Sequence, residues 1–355
     1  MIKRQPVTLA EVAQRAGVNK STVSRALTSN PQQVGAATVE RIRAIAAEMG
    51  YLPDSAAATL RSGKSRVIGV LVPRVTDYVL ASVYEGATKT ARQHGYTTIV
   101  SNTDDDPAVR VQQLESLLAR RVDGLIIGDA RLDGDEVVAT LKRRQIPYVL
   151  VNRRLHGHPS VTTDDLRGGE LAAEHLLGLG HRDVGILAGP GYTSTGIERS
   201  LGFSQHYARA GIRLDPSVRI ESQNDAEGGF AAARELLARH PEVTGIFATN
   251  DFAAIGAMGA AREAGRTPGV DLAVVGYNDI PLAQYLPLPL TSVSSPIFRM
   301  GERGAEVLLD IIAGGEPVAE LLEPQLKARL STMARNDAWT PSDPGDPLRS
   351  QAAPA

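Results

Sequence analysis

The chain has 355 residues, no cysteine and a formal charge of −2, with 43% hydrophobic and 22% charged residues. This composition excludes a disordered chain, and the missing cysteines exclude disulfides, thiolate metal sites and a cysteine nucleophile. The small net charge hides an asymmetry: residues 1–66 hold ten Lys and Arg against four acids, a balance of +6, and the rest hold 28 against 36, or −8. A basic head on an acidic body fits a nucleic-acid-binding module fused to a second unit, although a basic solvated face would give the same count. No apolar run approaches the roughly 20 residues of a membrane span, and no apolar stretch follows the first basic residues. A cytoplasmic protein is therefore expected, with no membrane partner.

In chain order, T-L-A-E at Thr8–Glu11 is a capping box: the Thr8 hydroxyl can accept from the Glu11 N–H, and Glu11 can reach back. Leu9, Val12, Ala13 and Ala16 then recur at helical spacing, and Gly17 stops the helix. Asn19 is placed to cap a second helix from Lys20 to about Thr28, with Val23, Ala26 and Leu27 inward and Lys20, Ser21, Thr22, Ser24 and Arg25 outward. Two short helices joined by a glycine turn form a helix-turn-helix, whose second helix reads the major groove. Lys20 and Ser21 should face base edges, Arg25 should fork onto a guanine, and Thr22 and Ser24 suit phosphate contacts that set register. A third helix, about Ala36 to Met49, carries Val39, Ile42, Ile45 and Ala46, with Gly35 at its cap and Tyr51 packing back on the head.

The run VTLAEVAQRAGVNKSTVSRAL resembles the N-terminus of the LacI/GalR family of bacterial regulators, whose pattern is roughly V-T-x-x-D/E-V-A-x-x-A-G-V-S-x-x-T-V-S-R-x-L. Asn19 departs from the usual Ser. The resemblance implies a DNA-binding head with Thr8 and Asn19 beside the reading helix. YLPDSAAATLRSGKS is similar to the family hinge Y-x-P-N-x-x-A-R-x-L. Its short helix, too short to stand alone, is implied to order on DNA beside a second subunit, with Leu60 as an apolar wedge in the minor groove. Ala58 stands at the family's arginine; Arg61 and Lys64 are the candidates to replace that cation.

From Val67 the pattern changes. The apolar runs VIGVLVP, YTTIVSN, GLIIG, PYVLVN, VGILAG, TGIFATND and LAVVGYND alternate with amphipathic segments such as 108–121, 167–179 and 226–239. Such alternation predicts parallel sheets covered on both faces, here two doubly wound lobes. The fold class expected is α/β: an all-α head, a hinge helix and a two-lobed body that resembles a periplasmic binding protein. The expected boundaries are 1–50 for the head and 51–66 for the hinge. The first lobe is 67–165 with a crossover at 296–325, which includes a helix at 296–313. The second is 166–295 with 326–333, where LKARLST gives a last strand, and 334–355 is a tail expected to be disordered.

Such sheets bind ligands beyond the carboxyl ends of their strands. That rule selects Asp77 and Tyr78, Asn152 and Arg153, Asp165, Asn250 and Asp251, and Asn278 and Asp279. Carboxylates, amides and a guanidinium suit a polyol. The family resemblance implies direct effector contacts for Arg199 and Asn250. Asp165 and Asp251 are equally readable as helix caps, and Tyr78 and Tyr192 are the available stacking faces.

No phosphate-cradling G-x-x-x-x-G-K-[ST], full G-x-G-x-x-G or G-x-S-x-G appears; GILAGPG is a strand-end turn. H-G-H-P at 156–159 reads as a solvated loop, and Asp104, Asp105 and Asp106 as a helix start. No enzyme activity, cofactor or metal is expected. The reading is a ligand-responsive DNA-binding regulator, with repressor the expected sense of its action. It is expected to act as a homodimer or larger assembly on a near-palindromic double-stranded operator, with a carbohydrate effector. A solute-binding protein and an α/β enzyme with a helical appendage are the alternatives.

Overall fold

The computed structural model describes residues 7–27, 34–51 and 63–332. Helices α1 (Leu9–Ala16), α2 (Lys20–Ala26) and α3 (Ala36–Glu48) pack around Val12, Ala16, Val23, Val39 and Ile42. Both halves of the Thr8–Glu11 capping box form, and these bonds hold the Glu11 carboxyl below its usual range. Gly17 takes φ 64° to end α1, and Arg41 Nη1 closes the Ala16 carbonyl at 2.8 Å. Asn19 sits at the cap position of α2, but its side chain makes no capping hydrogen bond, which corrects the expectation drawn from its residue type. Val18 and Tyr51 pack on the three-helix core.

The body holds two six-stranded sheets. The first, in spatial order β11-β5-β4-β3-β1-β2, contains β1 (Val67–Val72), β2 (Thr97–Asn102), β3 (Gly124–Ile127), β4 (Tyr148–Val151), β5 (Ser160–Thr163) and β11 (Ala319–Leu322). The second, in order β12-β10-β9-β8-β6-β7, contains β6 (Val184–Ala188), β7 (Arg219–Glu221), β8 (Gly245–Ala248), β9 (Ala273–Asn278), β10 (Thr291–Ser294) and β12 (Gln325–Lys327). Every pairing is parallel except β10 with β12. Central strands such as GLII and YVLV are buried on both faces because helices cover both sides. The strand expected in LKARLST is confined to its start. Beyond it, Ser331 instead bonds Val274 and Pro289 through its backbone. The edge strand β11, AELL, has exposed alternate residues and lacks the apolar signature of the others.

Three helix pairs meet through reciprocal glycines. On the first lobe α4 (Tyr78–Gln93) meets α11 (Ile297–Ile312) at Gly86 and Gly301. The other face of that sheet is covered by α5 (Pro107–Ala119) and α6 (Glu136–Arg143), which bury Leu114, Leu117, Val138 and Leu141 with Leu125 and Ile127 of β3. On the second lobe, α7 (Asp165–Gly178) meets α8 (Ser194–Arg209) at Gly169 and Gly202, and α9 (Ala226–Arg239) meets α10 (Asp251–Glu263) at Gly229 and Gly256. A Cβ on Gly169 or Gly202 would lie 2.0 Å from a backbone oxygen of the facing helix, so backbone meets backbone there. The chain crosses between sheets after β5, after β10 and after β11. Where it enters the body, Asp123 accepts from Ser65 N at 2.7 Å, Ser65 Oγ at 2.8 Å and Arg66 N at 3.0 Å. Among the described residues no helix is long and apolar enough to cross a membrane.

Candidate DNA-reading surface and ligand cleft

On α2, Lys20, Ser21 and Arg25 are exposed, Thr22 and Ser24 half-buried, and Val23 and Ala26 buried. Arg25 lies along the helix, with Nε 3.2 Å from the Ser21 carbonyl. Thr8 is exposed, but its hydroxyl is engaged with Glu11. Leu60 and Arg61 lie outside the described residues.

The cleft lies where the carboxyl ends of both sheets face each other. Its outer chamber, about 150 Å³, is lined by Pro73, Asp77, Asp105 and Arg153 of the first lobe and by Tyr192, Asn224 and Asp225 of the second, among others. An inner chamber of about 30 Å³ shares Pro73, Asp77, Arg153 and Asn224 and adds Asn152, Thr195, Arg199, Asn250 and Asn278. Most of these residues follow or end a strand, as the topology dictates, while Thr195 and Arg199 come from α8.

Arg199 lies on α8 and is 5% exposed. Its Nε donates to Asp165 Oδ1 at 2.7 Å, its Nη1 to the Thr249 carbonyl at 2.8 Å, and its guanidinium stacks 3.7 Å over the Tyr277 ring. Burial works against its charge, but Asp165 outweighs that and keeps it firmly protonated. Its Nη2 makes no hydrogen bond among the described residues. Asn250 Oδ1 caps α10 through Phe252 N and Ala253 N, leaving its amide nitrogen unspent. Asn278, at φ 100° on the last residue of β9, is 4% exposed, and its Oδ1 is buried without a partner. Asn152 takes φ 62° just after β4. Asp77 caps α4 through Val79 N and Leu80 N; burial nevertheless pushes its carboxyl up.

Two expected contacts are corrected. Tyr78 lines neither chamber and is 38% exposed, because it lies about 100° round the helix from the inward-facing Asp77. Asp165 does not reach the cavity wall; it is buried behind Arg199 and fixes it. Asp165 is not a cap either, since Asp164 holds α7 through Arg167 N. Asn250 likewise takes the cap of α10, so Asp251 turns inward to Ile280 N at 2.8 Å and Ser292 Oγ at 2.6 Å. Burial pushes the Asp251 carboxyl up to about 7.

Of the acidic run before α5, only Asp106 caps the helix. Asp104 and Asp105 both adopt left-handed backbone, at φ 53° and 58°, which aims the Asp105 side chain into the cleft. There it forks onto Arg153 at 2.8 Å through both oxygens and accepts the Tyr192 hydroxyl at 3.0 Å from the opposite lobe. Burial alone would raise its pKa, but Arg153, Tyr192 and Arg131 outweigh it and hold it low. Arg131 lies 3.7 Å over the Tyr192 ring, and Leu132 N meets the Tyr192 carbonyl at 2.9 Å. Arg154 joins the same bridge between lobes through Ser194 Oγ and Glu198.

The sequence pattern of bacterial regulatory proteins of the lacI family matches residues 8–54, and that of periplasmic binding proteins and the sugar-binding domain of the LacI family matches residues 65–330. The chain belongs to the LacI family. The transcriptional repressor PurR of Photobacterium profundum is 30% identical over 93% of this chain and 99% of its own. The regulator CelR of Thermobifida fusca is 32% identical over 93% and 100%. Among solved structures, a lac repressor dimer bound to operator and the anti-inducer ONPF superposes with a TM-score of 0.84 at 30% identity, covering 93% of this chain and 100% of that one. A complex of CelR with cellobiose gives 0.72 at 30% identity, over 92% and 99%. This LacI-family chain is thus a DNA-binding transcriptional regulator under effector control and not an enzyme.

Proposed function

We propose that this regulator is a cytoplasmic repressor that binds a near-palindromic operator as a homodimer and senses a sugar or sugar derivative in the cleft. Residues 1–50 grip DNA, 51–66 couple, and the lobes at 67–165 with 296–325 and 166–295 with 326–333 close on the effector. Lys20, Ser21 and Arg25 read base edges, while Thr8, Asn19, Thr22 and Ser24 position the helix on phosphates. Leu60 acts as the minor-groove wedge with Arg61 beside it, a role that rests on the hinge motif alone.

The observation that carries the effector assignment is the convergence of Arg199, Asn250 and Asn278 with Asp77 and Asn152 around the inner chamber. Arg199 offers Nη2, Asn250 its amide nitrogen and Asn278 an unpartnered oxygen, a set that matches vicinal hydroxyls. Asp165 acts through Arg199. Effector and operator affinities are then reciprocally coupled through lobe closure.

The test is Arg199→Ala in an operator titration with and without candidate sugars. The variant should bind operator and ignore the sugar that shifts the native chain. An unchanged response would remove Arg199 from the site.

A further inference from the structure

We infer that the effector is uncharged and that Asp105 sets this selectivity by neutralising Arg153; the inference rests on the cleft being the effector site. The outer chamber and the inner one hold three arginines, and each already has a carboxylate. Arg199 is paired with Asp165 at 2.7 Å, Arg153 with Asp105 through a two-point fork at 2.8 Å, and Arg74 faces Asp225 at 4.0 Å. Two further acids are committed as helix caps. Asp77 caps α4, and Asp225 caps α9 through Gly228 N at 2.8 Å.

Asp104 accepts from the Asn102 amide and has no cation partner among the described residues; the other unspent groups on the walls are neutral. Asn278 Oδ1 is buried without a partner, and the side chains of Asn152, Asn224 and Thr195 make no hydrogen bonds among the described residues. Amides and hydroxyls of this kind match ligand hydroxyls, which both donate and accept. At Arg153 an anionic ligand would have to displace a bidentate carboxylate held on left-handed backbone. An aromatic ligand fares no better, because the Tyr192 ring already carries the Arg131 guanidinium at 3.7 Å. The chambers, at about 150 and 30 Å³, also fall well short of the roughly 300–1,000 Å³ of pockets for drug-sized ligands. Together these features select a small, non-aromatic polyol.

The experiment is calorimetric titration of the full-length chain with neutral monosaccharides and alditols, the matching aldonic acids and sugar phosphates, and an amino sugar. The panel is repeated on Asp105→Asn and on Asp105→Asn/Arg153→Gln, with cooperative thermal unfolding recorded for each. The native chain should bind from the neutral group only. Asp105→Asn should improve affinity for the acid or phosphate of the bound sugar roughly ten- to hundredfold, the equivalent of one charge-assisted hydrogen bond. The double variant should lose that gain. Tighter binding of any charged member by the native chain, or a folded Asp105→Asn with no gain for anions, overturns the inference while leaving the cleft as the effector site. If every member is silent, the assignment of the cleft to sugars fails, and the inference falls with it.

Discussion

Asp165→Asn is the sharpest perturbation of the second lobe. The native carboxylate is 2% exposed and sits 2.7 Å from Nε of a guanidinium that is itself 5% exposed. Removing one partner of a buried ion pair typically costs about 3–5 kcal/mol, because the other charge stays buried. Here Arg199 keeps the Thr249 carbonyl at 2.8 Å and the face of Tyr277 at 3.7 Å, and asparagine can still accept a weaker bond. The expected loss is therefore near the lower limit, about 3 kcal/mol. Urea unfolding followed by circular dichroism measures it. A thermodynamic cycle with Arg199→Met isolates the pair: the double variant should be at least about 1 kcal/mol more stable than the two single losses predict by addition. A single-variant loss under about 1 kcal/mol, or additivity within about 0.5 kcal/mol, would refute the view that Asp165 holds Arg199 in place.

Gly169→Ala should destabilise the lobe by roughly 1–3 kcal/mol and weaken effector binding, since the new Cβ would collide with the Arg199 carbonyl on the helix that carries the effector anchor; wild-type urea stability would disprove the close contact. The Asp251 carboxyl, raised from 3.8 to about 7, favours the fold when protonated. Its contribution is complete below about pH 4 and lost as pH rises to about 7, so Asp251→Asn should flatten that part of a stability-versus-pH curve. Identical curves for the two proteins would exclude it. Arg25→Ala should abolish discrimination between operator and random DNA in a competition assay while weak binding persists; retained selectivity would count against a base contact. Operator affinity should fall steeply with salt, in proportion to the number of phosphates contacted, and a flat log–log plot would argue against the basic head as the DNA grip.

Much of this architecture is legible in the residues. The capping box at Thr8, the glycine at 17 and the continuous apolar runs depend on local chemistry, and local chemistry is what a sequence displays. Arg199 and Asn250 are legible through the family motif, and Asn250 also through its place after a strand. Other features depend on neighbours distant in the chain. Asp164 and Asp165 are adjacent carboxylates, and only the packing of α8 decides which caps and which pairs with arginine. Asp105 reads as one of three helix-start acids; its turn toward Arg153, 48 residues away, comes from two successive left-handed residues that no composition rule requires. Tyr78 resembles a stacking face because an aromatic follows the strand, but helical geometry rotates it outward.

The clamp at Asp123 has a mechanical meaning for the whole molecule. Tyr51 is packed on the head and Ser65 is tied to the first lobe, so only the thirteen residues 52–64 lie between two fixed points. Covalent geometry limits that leash to about 45 Å however it is folded. Whatever the lobes do, the head therefore stays within that distance of the first lobe, and every added residue in the leash would widen its reach by about 3.5 Å.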